Sequence, residues 1–591
     1  MNLKWIAIPL LGSAVVTSHL LLAKTPAQDS PDTAGIQFRS LADQYFDQVY
    51  FKYSPTTATL DGFHQYDTQL ENYTRAGINE EIAALKQYEA KFASISPGSL
   101  DLNTQGDLAL VVGNIRSSLL TLETIRPWEK NPDTYSSGIT ESAFALMERT
   151  FASPDERLRS LIARERQMPA VFTAARQNLN NPPRIYTEIA LEQLPGIISF
   201  FQSDVPQAFD KAQSLQLRAQ FAQTNASVLT ALDAYQSWLK DNLLARSHGD
   251  FRFGSDTYRK KLLFDEMVDT PLAKLLDIAN ADLKKNQAEF DRLGKEIAPD
   301  KQPREVLAEL EKDHPDPSQL LQTFRDTFKG LIQFIQTKHI VDIPSPVQPI
   351  VKETPPFMRA TTVASMDTPG PYEKVAKEAY FNVTLPAPGD TPEQIAGRMA
   401  GFNRGTIIST SVHEAYPGHY IQFLWLQQAP SKVRKLLGAS SNAEGWAHYC
   451  EQMMLDQGYG QQGTGARDTR DAKMIRLGQL QDALLRDARF VVGIQMHTGH
   501  MSYDQAVDFF AKEGYQSHES GVIETKRGTS DATYLYYTLG KLEILKLRAD
   551  LEQQQGANFS LEQFHNDFLK QGYPPIKIVR RALLGNDSPA L

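Results

Sequence analysis

SVHEAYPGHYIQF, residues 411–423, sets His413 beside Glu414 and places a second histidine, His419, six residues after the first. In the zinc motif H-E-x-x-H the second histidine comes four residues after the first, on the same helix face. Pro417 stands at that position here. On a straight helix, six residues turn through about 600°, leaving His419 roughly 120° from His413 and about 9 Å further along the axis. Nitrogens that far apart cannot share one zinc at bonds of about 2.0–2.1 Å. Pro417-Gly418 offers a way round. Proline disfavours helix at Tyr416 and removes a donor, and glycine tolerates unusual backbone angles. Apolar helical residues flank the pair on both sides. The stretch therefore predicts one helix with a bulge at its middle that brings His419 back toward His413. In this reading His413 ligates, and Glu414 lies on the water side of the metal.

A catalytic zinc needs three protein ligands and an open position. SNAEGWAHYCEQMM, 441–454, offers the third. Glu444 is the candidate ligand. Glu451, seven residues on and near the same helical face, is the candidate acceptor for a ligand histidine. His448 shares that face and could replace either. Two histidines near a glutamate also arise on an ordinary helix, with Glu444 and Glu451 simply solvated.

The rest of the chain narrows the choice. Its single cysteine, Cys450, excludes an internal disulfide framework and a cysteine zinc site. Six of the 12 histidines (413, 419, 448, 497, 500, 518) fall in about one fifth of the sequence. A net charge of -9 without a long basic run argues against nucleic acid. With 591 residues, 41% of them hydrophobic, the chain can bury a large core. MNLKWIAIPLLGSAVVTSHLLLAKTPAQDS at the N-terminus has the layout of a secretory signal peptide, residues 1–27. An uncleaved anchor is the alternative, since the apolar stretch approaches spanning length. No lipobox cysteine is present and no other segment reads as long and apolar enough to span. The body is expected in the periplasm or outside the cell, with no membrane contact beyond that possible anchor.

Residues 37–340 show helical spacing throughout, without a fixed-period repeat. VDIPSPVQPIVKETPPF, 341–357, carries five prolines and reads as an extended connection. AYFNVTLP, 379–386, reads as a short strand, with RATTVASM, 359–366, as its partner. Helix resumes at 393 and runs to about 555, with loops near 457–466 and 514–532. The expected class is mainly α with a small sheet beside the active-site helix, built from an N-terminal helical region (37–340) and a zinc-site region (357–591) that form one catalytic unit.

HEAYPGH at 413–419, EGWAHYCE at 444–451 and GTSDATYLYYTLGK at 528–541 resemble the hallmarks of the bacterial domain-of-unknown-function 885 family. That family looks like the gluzincin group of zinc metallopeptidases. Ala532 replaces the family's proline, outside the presumed ligands. The resemblance implies a large two-lobed, metallopeptidase-like helical fold. It also implies one zinc ion held by His413, His419 and Glu444, with Glu414 as the base.

The expected function is hydrolysis of short peptides. Glu414 would take the water proton and pass it to the leaving amine. Tyr537, Tyr534 and His497 are candidate donors to the oxyanion. Tyr534 and Arg527 are candidate substrate contacts, and Arg527 could hold a terminal carboxylate. YFNVTLP could offer a strand edge to an extended peptide. The tyrosine run also reads as helix packing, and Arg527 as one half of a surface salt bridge. Two other functions share the pattern: a non-catalytic peptide-binding helical module, and a zinc amidase or esterase acting on a non-peptide substrate.

Overall fold

Helix dominates from residue 31 because apolar side chains recur at three and four and the starts are well capped. At Pro154–Glu165, Ser153 and Glu156 cap each other's backbone N–H groups, Pro154 occupies the first turn, and Leu158, Leu161 and Ile162 are buried. The computed structural model describes residues 31–591 except 356, 357, 360, 361 and 388. The expected signal segment, 1–27, lies outside the described residues.

Two apolar cores fill the N-terminal region. One gathers Tyr135, Ile139, Phe172, Phe200 and Tyr235. The other joins Phe38, Phe46, Phe92 and Ile115 to Val433, Leu436 and Ile578 from the far end of the chain. Leu102–Leu120 (α1) runs through the second. The stretch Leu102–Lys130 is long and apolar enough to cross a membrane, which the sequence reading had attributed to the N-terminus alone. Here it packs as a core helix: Leu108, Val111 and Ile115 are buried, and Asp107 accepts from Arg434 Nε at 2.8 Å.

Among the helices that follow before the sheet are Ser255–Glu266 (α2), Leu272–Ile297 (α3) and Leu320–Lys338 (α4). The proline-rich connection then holds a strand that sequence reading missed, Ile350–Glu353 (β1). It joins Ala364–Asp367 (β2) and Tyr380–Val383 (β3) in one sheet, in the order β1-β3-β2. β1 runs parallel to β3 with Val351 opposite Phe381, and β2 runs antiparallel with Met366 opposite Phe381. The prolines flank β1 and leave Ile350–Glu353 free of them, so both ladder edges of β3 are paired. AYFNVTLP is therefore the central strand and has no free edge for a peptide. Phe381 packs on Phe324 and Phe328 of α4, at ring separations of 5.0 and 5.3 Å.

The C-terminal helices include Arg404–Glu414 (α5), His419–Leu426 (α6), Ser440–Asp456 (α7), Thr469–His497 (α8), His518–Ser530 (α9) and Tyr536–Gln555 (α10). α9 occupies most of the expected loop 514–532. Its sequence, HESGVIETKRGTS, is poor in apolar residues and holds two glycines, so periodicity hid it. A Ser517 cap on the Ser520 N–H starts it. Helix also continues past 555, at Leu561–Leu569 and Ile576–Leu584.

Buried polar contacts tie the two regions together. Besides Asp107–Arg434, Lys541 Nζ lies 2.8 Å from Asp282, Asn286 donates to Asp487 at 2.7 Å, and Glu266 accepts the Ser441 N–H at 3.0 Å. A further tie is His64. Its Nδ1 lies 3.2 Å from Asp67, its Nε2 2.9 Å from Glu373 in the β2–β3 connection, and its ring stacks on Phe151 at 3.9 Å. With a carboxylate at each nitrogen, the charged ring satisfies both. Burial opposes that charge, but Asp67 and Glu373 outweigh it and raise the pKa above 6.5. A raised pKa stabilises the fold fully below the unfolded value and loses that effect as pH climbs through the folded value. Urea unfolding should therefore show His64→Gln destabilised more at pH 6 than at pH 9. An equal difference at both would leave the ring with a packing role only.

Candidate metal centre

α5 begins at Asn403, whose side chain accepts the Thr406 N–H, and stops at Glu414 because Pro417 has no N–H to continue it. Sequence reading expected one bulged helix. The structure has two helices with a break between them, in which the Tyr416–Pro417 peptide is cis. Ala415 and Tyr416 both donate to the Ser411 carbonyl, and Gly418 reaches back to the Val412 carbonyl at 2.9 Å. A Cβ at Gly418 would sit 1.8 Å from the His413 oxygen, so this return needs glycine. Trp446 of α7 donates to the Pro417 carbonyl at 2.9 Å and holds the break against the next helix. The result is the expected one: His419 lies beside His413, ring centres 4.9 Å apart and nearly perpendicular.

α7 supplies the carboxylates. Glu444, His448 and Glu451 share a face at four- and three-residue steps. α7 crosses α10 at Gly445 and Gly540, where a Cβ on Gly445 would meet the Gly540 Cα at 2.5 Å. That close crossing sets Tyr537, one turn before Gly540, beside the same face.

Glu444 Oε2 lies 3.3 Å from Nε2 of His413 and 3.3 Å from Nε2 of His419. A tetrahedral zinc with ordinary bond lengths spaces its ligand atoms about 3.3 Å apart. The ligand atoms of the three residues all lie within 4.8 Å of one another. Glu444 Oε2 is buried and hydrogen-bonded to neither ring despite its closeness. Behind the cluster, His413 Nδ1 meets Glu451 Oε1 at 2.6 Å, the carboxylate support a ligand histidine takes. His448 turns to the other oxygen of Glu451, Nδ1 to Oε2 at 3.2 Å, and burial drives its pKa down to about 3. It lies behind the ligands as a neutral ring and replaces neither glutamate.

The charges match a cation site. Burial disfavours ionised carboxyls, yet His419 and His413 hold Glu444 well below its ordinary range, and Arg486, His448 and His413 do the same for Glu451. Burial also opposes a charged His413, but Glu444 and Glu451 push its pKa up to about 9. A cluster that draws a proton this strongly offers a metal ion the same place. The residues present therefore fit zinc in number, spacing, donor type and support. Glu414 is half-buried, no hydrogen bond joins its side chain to another of the described residues, and burial raises its carboxyl pKa.

Of the outer candidates, Tyr537 is brought to the cluster. Its ring lies 6.2 Å from that of His413, and its hydroxyl accepts from Arg527 Nη2 at 3.1 Å. Arg527 also binds Asp531 at 3.1 Å, so it is both half of an ion pair and the holder of the phenol. Tyr534 is fully buried, with Gly493 and Gly528 against it, and offers no surface to a substrate. His497 is also displaced. It ends α8, about 16 Å along the axis from Arg486, with Nε2 on the Gly528 carbonyl at 2.7 Å and Phe253 against its ring. Burial lowers its pKa to about 4. Sequence reading missed Arg486, whose Nη2 lies 3.0 Å from Glu451 and whose guanidinium sits 5.6 Å from the centre of the Tyr537 ring. No motif marks it; only its place on α8 does. A cavity of about 360 Å³ is lined by Glu266, Ser440, Asp531 and Tyr536 among others, and by none of the three candidate ligands.

Gly418→Ala should open the return at the break. The expected cost is about 1–3 kcal/mol of stability, as for other forced overpacking, with weakened zinc uptake. Gly397→Ala, in the helix Pro392–Ala400 with open space around it, is the control and should be neutral or slightly stabilising. Thermal melts and zinc titrations of the pair test this, and equal behaviour would remove the steric argument.

No curated protein matches the chain. Solved structures do, two of them as follows. One is described as a "putative lipoprotein of unknown function" from Shewanella oneidensis. It is 27% identical with a TM-score of 0.75, over 93% of this chain and 99% of that one. The other, a "putative lipoprotein" from Colwellia psychrerythraea, covers the same shares at 17% identity with a TM-score of 0.77, a likeness of fold alone. The pattern of the bacterial proteins of unknown function called DUF885 matches residues 55–583, most of the chain that folds around the histidine pair. The protein belongs to the DUF885 family.

Proposed function

We propose that this protein is a zinc-dependent hydrolase of metallopeptidase type, acting on short peptides. One observation carries the reading: two histidines and a glutamate from three helices converge at zinc spacing, with Glu414 next to one of them in the chain. His413, His419 and Glu444 would hold the ion. Zinc bound there supplies an acidified water and polarises a carbonyl.

Glu414 takes the proton of the attacking water and returns it to the leaving amine. Its half-burial favours that work by raising its proton affinity. Tyr537 donates its hydroxyl hydrogen to the oxyanion that forms, while Arg527 holds the phenol oxygen from behind. The gluzincin likeness and the two-lobed metallopeptidase arrangement belong to this reading. So does an extracytoplasmic location, supported by the signal-like N-terminus and by the lipoprotein description of the 27%-identical structure. A binding module has no use for a base at the metal, so Glu414 favours turnover over capture.

Purified protein should hold about one zinc per chain, and His419→Ala should lose it. Glu414→Gln should keep the zinc and lose peptide hydrolysis by about 10²- to 10⁴-fold, the usual worth of a general base. Retained hydrolysis in that variant would remove Glu414 from the mechanism. A native protein without zinc uptake would overturn the whole reading.

A further inference from the structure

Glu451 carries three contacts on two oxygens. Oε2 meets His448 Nδ1 at 3.2 Å; Oε1 meets His413 Nδ1 at 2.6 Å and Arg486 Nη2 at 3.0 Å. Arg486 is itself fixed, because its Nη1 donates to the Asp482 carbonyl one turn back in α8, at 3.0 Å. The same Nη2 lies 3.4 Å from His413 Nδ1, so the guanidinium closes on both the imidazole and the carboxylate that supports it. Neither Glu451 nor His448 has any exposed side chain, and Arg486 has little.

A glutamate side chain has three torsions and, left alone, several ways to face an imidazole. Here a guanidinium anchored in α8 pairs with one carboxylate oxygen and selects one of those ways. Guanidinium geometry suits this work because the planar donors fix direction as well as distance.

We propose that Arg486 is a positioning residue of the metal centre: acting through Glu451, it sets the orientation in which His413 presents Nε2 to the ion. Three helices are thereby coupled at one point, α5 through His413, α7 through Glu451 and α8 through Arg486. The inference rests on the metal reading above and goes beyond it by assigning a determinant of metal affinity outside the ligands.

The test is a double-mutant cycle on zinc affinity, measured by chelator competition on the full chain. R486M should bind zinc about 10- to 100-fold more weakly than native, the usual effect of losing a ligand's support. E451Q should fall in the same range, and E451Q/R486M should bind within about threefold of E451Q, because the arginine then has nothing to act through. Cobalt-loaded R486M should also show a visible spectrum shifted from native, which a change in stability alone would not produce. If R486M does not fold because it strands a buried carboxylate, the double variant strands neither charge and its comparison with E451Q decides. Native affinity or an unshifted spectrum in R486M overturns the proposal, as does a further tenfold loss on adding R486M to E451Q. A native chain that takes up no metal overturns the metal reading itself, a different result from native uptake with an indifferent Arg486.

Discussion

The backbone contact between Gly445 and Gly540 sets the distance on which the centre depends. Two helices with ordinary side chains at the crossing would stand off by the thickness of those side chains. With glycine on both, α7 and α10 nearly touch. Glu444 then lies one residue from the contact on one helix, and Tyr537 one turn from it on the other. Trp446, the next residue along α7, reaches the Pro417 carbonyl and locks the helix break to the same crossing. Glu444, the two histidines and the Tyr537 phenol thus share one mechanical reference point.

The motif in the sequence and the shape of the site are linked by steric need. HEAYPGH departs from four-residue spacing, and the departure is resolved by a chain return that only Gly418 permits. The second histidine then comes from the first turn of a new helix rather than from the far side of a bulge. Glu444 and Glu451 were legible because seven residues nearly complete two turns. Their division into ligand and support follows from which of them faces the histidine Nε2 atoms and which faces Nδ1.

Other parts were hidden for physical reasons. β1 is four residues long and set among prolines, so composition spoke for a connection while the ladder with β3 spoke for a strand. α9 is solvated on much of its surface and lacks an apolar stripe. Arg486 belongs to no motif, and its role depends on α8 lying across α5 and α7, a tertiary fact with no local signature. His497 and Tyr534 were drawn in by residue type and sequence nearness. The structure places both in packed surroundings, since a ring at the end of a long helix and a phenol under two glycines serve the core.

The ties between the N-terminal and C-terminal regions have a bearing on how such a chain can change over generations. Glu266 caps the helix that carries Glu444, Asp282 neutralises Lys541 on the helix that carries Tyr537, and Asp107 compensates Arg434 in the interior. A carboxylate lost from the early part of the chain would strand a donor or a cation in the interior of the later part. The two regions are therefore a single heritable unit: neither can be exchanged between relatives without its counterpart residues, and selection acting on the metal cluster reaches positions far upstream of any ligand.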